Sequence, residues 1–172
     1  MKVELFPFQK TALARLRQSV ATALGNYRST HTPQVVSYTA PTGAGKTIVM
    51  SALIEAIYYG DELYPDQNEA IFIWLSDSPQ LNEQSRLKID LKADKIRLNQ
   101  CVVISDDSFD MEVLEDGHIY FLNTQKLSKS SNLTRLSFRT PFWTVACMRV
   151  KSTGAADNMV FSILIQHHTL IL

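Results

Sequence analysis

Apolar side chains at Leu13, Leu16, Val20 and Leu24 recur at steps of three and four. That spacing predicts a helix over 7–24 with one buried stripe. Gly25-Asn26 is expected to close it, leaving Tyr27 to Gln34 as a polar loop. The period then changes. Val35-Val36-Ser37-Tyr38-Thr39 is β-rich and predicts a strand, and Ile48 to about Tyr59 predicts a helix. Gly60 to Glu69 carries Gly, Pro and acids and predicts a surface turn. Beyond it the pattern predicts strand 70–76, helix 79–91, strand 97–105, an acidic loop 106–117 and strand 118–123, with a helix near 124–132. A last apolar run, Met159 to Ile165, also reads as a strand. Strands alternating with helices predict an α/β fold with a parallel, doubly wound sheet and its ligand at the carboxyl ends of the strands.

The junction of the first strand and second helix carries the chemistry. Ala40-Pro41-Thr42-Gly43-Ala44-Gly45-Lys46-Thr47 is a phosphate-binding loop in the strand-loop-helix setting that such a loop requires. Backbone N–H groups of Thr42, Gly43, Ala44 and Gly45 would face a polyphosphate at the positive end of the helix dipole. Lys46 would reach the β- and γ-phosphates, and the Thr47 hydroxyl would hold the bridging Mg²⁺. The bland alternative is a Gly-containing turn joining a strand to a helix. Ala40 stands where the general pattern has Gly.

That variant resembles the first motif of the helicase-type ATPases of superfamily 2, Ala-x-x-Gly-x-Gly-Lys-Thr. Other segments resemble the same family in the same order. Leu5-Phe6-Pro7-Phe8-Gln9 is similar to its adenine-reading segment, with Gln9 as the matching amide and Phe6 or Phe8 able to cover the ring face. Without the resemblance the segment reads as a helix start with Pro7 in its first turn. Asp77-Ser78-Pro79-Gln80-Leu81-Asn82-Glu83-Gln84 is similar to Pro-Thr-x-x-Leu-x-x-Gln, a segment that touches a nucleic-acid backbone. Ser78 is the matching hydroxyl, and its alternative role is a helix N-cap. Asn123-Thr124-Gln125-Lys126-Leu127 resembles the corresponding segment of DEAD/DEAH-like proteins related to the helicase subunit of type III restriction enzymes, with Thr124 as a further nucleic-acid contact. The resemblance implies a three-layer, RecA-like parallel sheet with helices on both faces and a central phosphate-loop strand. It also implies ATP and Mg²⁺ as cofactors, DNA as the polymer, and a modification or specificity subunit as a partner.

The pattern then departs from the family. An apolar strand ending in Asp-Glu-x-His is required, because a carboxylate must hold Mg²⁺ and a Glu must orient water. At the expected place the chain reads Asn158 to Ile165 followed by Gln166-His167-His168, and no Asp-Glu pair follows Thr124. No catalytic residue is identifiable. Asp106, beside Asp107, is a candidate metal carboxylate, with an exposed strand end as the alternative. Only 125 residues follow Thr47, too few to finish the first lobe and build the second. The expected organisation is therefore a partial lobe over 1–139 and a divergent, truncated or frameshifted tail over 140–172, with a candidate edge or substitute strand at 159–165. The ATP-binding lobe of a helicase, not competent alone, is the leading reading. A nucleotide- or DNA-binding module without turnover and a non-functional gene remnant are the alternatives.

Composition narrows this little. The 172 residues are 45% apolar, enough for one core, and 17 basic residues balance 17 acidic ones. A strongly electrostatic nucleic-acid binder is disfavoured. Cys101 and Cys147 lack ligand spacing and read as buried free thiols, and adjacent His167 and His168 would point to opposite sides of a strand. With no signal peptide or apolar run near about 18 residues, a cytoplasmic protein without membrane contact is expected.

Overall fold

The computed structural model describes residues 1–32, 34–76, 78–104 and 115–123, and the backbone alone of 144–153 and 159–164. Helix α1 is Pro7–Thr30. Pro7 opens it at a position where a missing N–H costs nothing. The helix does not stop at Gly25-Asn26 but continues to His31, whose left-handed backbone (φ 52°) ends it with an N–H bond to the Tyr27 carbonyl of 2.7 Å. Tyr27 packs against the core, and that contact outweighs the roughly 1 kcal/mol a glycine costs inside a helix.

Strand β1 (Gln34–Pro41) leads through the loop to α2 (Lys46–Tyr59), and β2 (Ile71–Ser76) is followed by α3 (Pro79–Lys92). Strands β3 (Cys101–Val103), β4 (Ile119–Asn123), β5 (Thr144–Thr153) and β6 (Met159–Leu164) complete the described elements. Strand β3 is shorter than its apolar run suggests. Leu98–Gln100 forms a 3₁₀ turn, and the Gln100 amide is spent accepting from the Arg97 N–H and donating to the Gly117 carbonyl. The ladder therefore begins only at Cys101. Strand β5 has no counterpart in the pattern analysis, although Thr144-Val145 and Val150 are β-branched.

The strand order is β1-β5-β6-β2-β4-β3. The pairs β1–β5, β2–β4 and β4–β3 are parallel, as in an incomplete RecA-like α/β fold. β6 runs antiparallel to both neighbours, with Trp74 opposite Phe161 and Met148 opposite Phe161 on its other side. Whereas the resemblance implies a central phosphate-loop strand, β1 is terminal among the described strands.

One face of the sheet carries Phe72, Trp74, Ile119 and Phe121, packed with Val20 of α1, Leu53 and Ile57 of α2, and Ile89 of α3. The described helices thus share one core. Trp74 stacks on Phe121 at 5.5 Å, and Tyr58 meets Phe72 edge-on at 5.1 Å. The opposite face holds Ile71, Tyr120, Leu122 and Ile104 as a second cluster. Burial on both faces is why these strands read as continuous apolar runs. The helix expected near Thr124–Asn132 lies outside the described residues.

Two polar ties fix the periphery. Buried Arg17 bonds to Asp61 and to the Pro65 carbonyl, each at 3.2 Å, and lies over the Tyr64 ring, which pins the turn after α2 to α1. Buried Glu55 accepts from the Met1 ammonium and from the N–H groups of Asp94 (2.8 Å) and Lys95 (3.2 Å). A lone acid in an apolar helix is so satisfied from three sides.

Candidate functional site

The loop takes its shape from where the backbone must turn. Gly43 (φ 84°) and Gly45 (φ 76°) occupy left-handed conformations that residues with a Cβ rarely adopt. Ala40 lies in extended β1 and needs no such freedom, so the departure from Gly there is structurally neutral. The Ala44 N–H closes the turn on the Pro41 carbonyl at 3.2 Å, and the Gly45 carbonyl accepts from Ile48 (2.9 Å) and Val49 (3.0 Å) to start α2. Among the described residues the N–H groups of Gly43, Gly45 and Thr47 have no protein acceptor. Unspent donors at the start of a 14-residue helix make an anion cradle.

Lys46 sits at the base of this cradle. Its Nζ donates to the carbonyls of Ala40 (3.3 Å) and Pro41 (3.1 Å), which folds the side chain back over the loop. The Thr47 hydroxyl has no hydrogen bond among the described residues and borders the same space. The donor set fits a polyphosphate with a hard cation: amide donors, one ammonium and one hydroxyl oxygen. When bound, Mg²⁺ would neutralise charge on the terminal phosphates, with Thr47 as its protein ligand.

The hollow in front of the loop has a volume of about 320 Å³. Its second wall is α3, which contributes Leu81, Gln84, Ser85 and Lys88. These residues stand at helical steps of three, four and seven and so form one face. The motif match marks Leu81 and Gln84, as part of a nucleic-acid segment rather than of this wall, whereas Ser85 and Lys88 carry no signal beyond their helical spacing.

Gln9 is brought to the loop, yet its amide is already engaged. Its Oε1 accepts from the Phe6 N–H and its Nε2 donates to the Ala44 carbonyl, both at 3.0 Å, and the residue is 4% exposed. A Cβ on Gly45 would come within 2.5 Å of Gln9 Nε2, so glycine there serves both the turn and the close approach. Phe6 and Phe8 are exposed beside it and stack at 5.9 Å with a 7° interplanar angle.

Ser78 is the N-cap residue of α3 by position, but its hydroxyl donates to Gln80 Oε1 at 2.6 Å instead of capping the helix. Beneath it, buried Ser76 and Asn82 join at 2.7 Å and tie the end of β2 to the start of α3. Thr124, Asp106, Asp107, His167 and His168 lie outside the described residues. Cys101 is a buried free thiol that burial pushes up to about 12, which makes it inert. Among the described residues no cluster of His, Cys, Asp or Glu could hold a metal, and no helix is long and apolar enough to cross a membrane.

A mixed α/β sheet, parallel in three of its five pairings, whose strand-to-helix loop presents left-handed glycines, lysine and threonine has the form of a phosphate-loop lobe. The sequence model of a family described as type III restriction enzyme, res subunit, matches residues 2–149. The chain belongs to that family and is a helicase-like lobe of it. No curated protein and no solved structure matches the chain.

Proposed function

We propose that this chain binds ATP with Mg²⁺ at the loop 42–47, as the first lobe of a DNA helicase of the restriction-enzyme kind, and does not turn it over alone. One observation carries the reading: the unspent N–H groups of Gly43, Gly45 and Thr47 open onto the hollow that Lys46 and Thr47 border. Ground-state binding needs only those N–H donors together with the Lys46 ammonium. Hydrolysis needs more. After Thr124 the sequence contains one carboxylate, Asp157, so no Asp-Glu pair is available there to hold metal and orient water. DNA as the polymer is supported by the family, with Ser78 and Thr124 as its contacts by resemblance. A modification or specificity subunit as partner rests on the resemblance alone.

Calorimetry of ATP–Mg²⁺ on the wild-type chain and on Lys46→Ala tests the binding half. Saturable binding by the wild type and none by the variant is expected, because Lys46 is the one cation carried by the loop itself, where its ammonium lies against the loop backbone. Identical isotherms would remove the reading. For turnover, each absent transition-state group is worth roughly 10²- to 10³-fold in rate. Phosphate release should stay at background with or without DNA. A DNA-stimulated rate would overturn that half and direct attention to Asp106 and Asp107.

A further inference from the structure

We infer that Lys88 is a second phosphate-binding cation of this site, reading the terminal phosphate of a nucleoside triphosphate from the wall opposite the loop. The inference rests on the nucleotide-binding reading above. Lys88 lines the same hollow as Lys46 and Thr47 and is exposed to it. It has no ion-pair partner among the described residues, whereas Arg86 on the same helix is committed to Glu83 through bonds of 2.6 and 2.9 Å. No carboxylate lines the hollow among the described residues, so its electrostatic sign is set by two lysines and the start of α2.

Position assigns the phosphate. The loop wraps the part of a polyphosphate nearest to it, with Lys46 at its base. A cation on the facing helix meets the part that projects away from the loop, the third phosphate. A diphosphate lacks that projecting group. Lys88 therefore discriminates triphosphate from diphosphate, and its flexible stem allows the contact without movement of α3. Gln84, one helical turn earlier on the same face, adds a neutral donor to the same wall.

The test compares the wild-type chain with Lys88→Ala and Lys88→Arg by calorimetry, using ATP–Mg²⁺, ADP–Mg²⁺, inorganic tripolyphosphate and a single-stranded oligonucleotide. Lys88→Ala should weaken ATP and tripolyphosphate by about fivefold to tenfold, the effect of one solvent-accessible charge-assisted bond. ADP should change by less than about twofold, and Lys88→Arg should restore most of the ATP affinity. Thermal melting of both variants should match the wild type, since the position is exposed and Ala favours helix. Equal loss for ATP and ADP, or no loss for either, overturns the inference while leaving the loop site standing. Loss of oligonucleotide affinity with ATP binding intact overturns it as well and gives Lys88 to a nucleic-acid phosphate. A wild-type chain that binds neither ATP nor tripolyphosphate sinks the site and the inference together.

Discussion

Strands β4 and β1 sit in one sheet and do opposite things. All five residues of β4 are buried, while β1 alternates, with Val36 and Tyr38 packed against the core and Val35, Ser37 and Thr39 exposed. The phosphate loop grows from the half-open strand and stability from the closed one. An anion site needs unspent donors and room for a ligand, both of which cost a folded chain its cohesion; the β2–β4 pair, buried on both faces and separated from β1 by β5 and β6, supplies it. Substitutions should therefore divide cleanly by strand.

The largest effect is expected at the closed side. Phe121→Ala removes a ring that stacks on Trp74 and is fully buried, and should cost about 3–5 kcal/mol in urea unfolding. A loss under about 1 kcal/mol would show that this pair is not the centre of the core. Next comes Glu55→Gln, at the far end of α2 from the loop. Burial pushes the Glu55 carboxyl up, but the Met1 ammonium and the Asp94 and Lys95 N–H groups together outweigh it and hold the carboxyl below its ordinary value. Losing the charge should cost about 1–3 kcal/mol at neutral pH. Because the folded value lies below the unfolded one, this stabilisation is fully present above the ordinary carboxylate value of about 4.3 and is lost as pH falls through the depressed folded value. The wild type should lose its advantage over the variant across that acid range, and a gap independent of pH would discard the ion pair as its source.

What could be read in advance follows the same division. The loop was readable because its chemistry tolerates few residue types: left-handed turns need Gly43 and Gly45, and phosphate and metal need Lys46 and Thr47. Strands β2 and β4 were readable because burial on both faces leaves an unbroken apolar run. Tertiary contacts settled the rest. Tyr27 carries α1 past Gly25, and the Gln100 side chain delays β3 by its bonds to Arg97 and Gly117. Gln9 has the residue type of a base reader, and the structure uses one lone pair and one N–H of its amide on Phe6 and Ala44. Lys88 could not be read, since its meaning depends on which helix face meets the loop. Glu55 left a usable sign, a single acid among the mostly apolar residues of α2.

The smallest effect is expected on the open strand, and it sharpens the contrast most. Val35 is 69% exposed at the start of β1, so Val35→Thr keeps the β-branched shape that favours a strand and places a hydroxyl in water. Stability should change by no more than about 0.5 kcal/mol, and ATP–Mg²⁺ affinity should not move. The same exchange of methyl for hydroxyl within the closed strands would bury an unsatisfied polar group. Chemical denaturation decides the point. A loss above about 1 kcal/mol in Val35→Thr would mean that this face of β1 is packed in solution. The loop would then be built on a strand as closed as β4, and the division between site and core would fail.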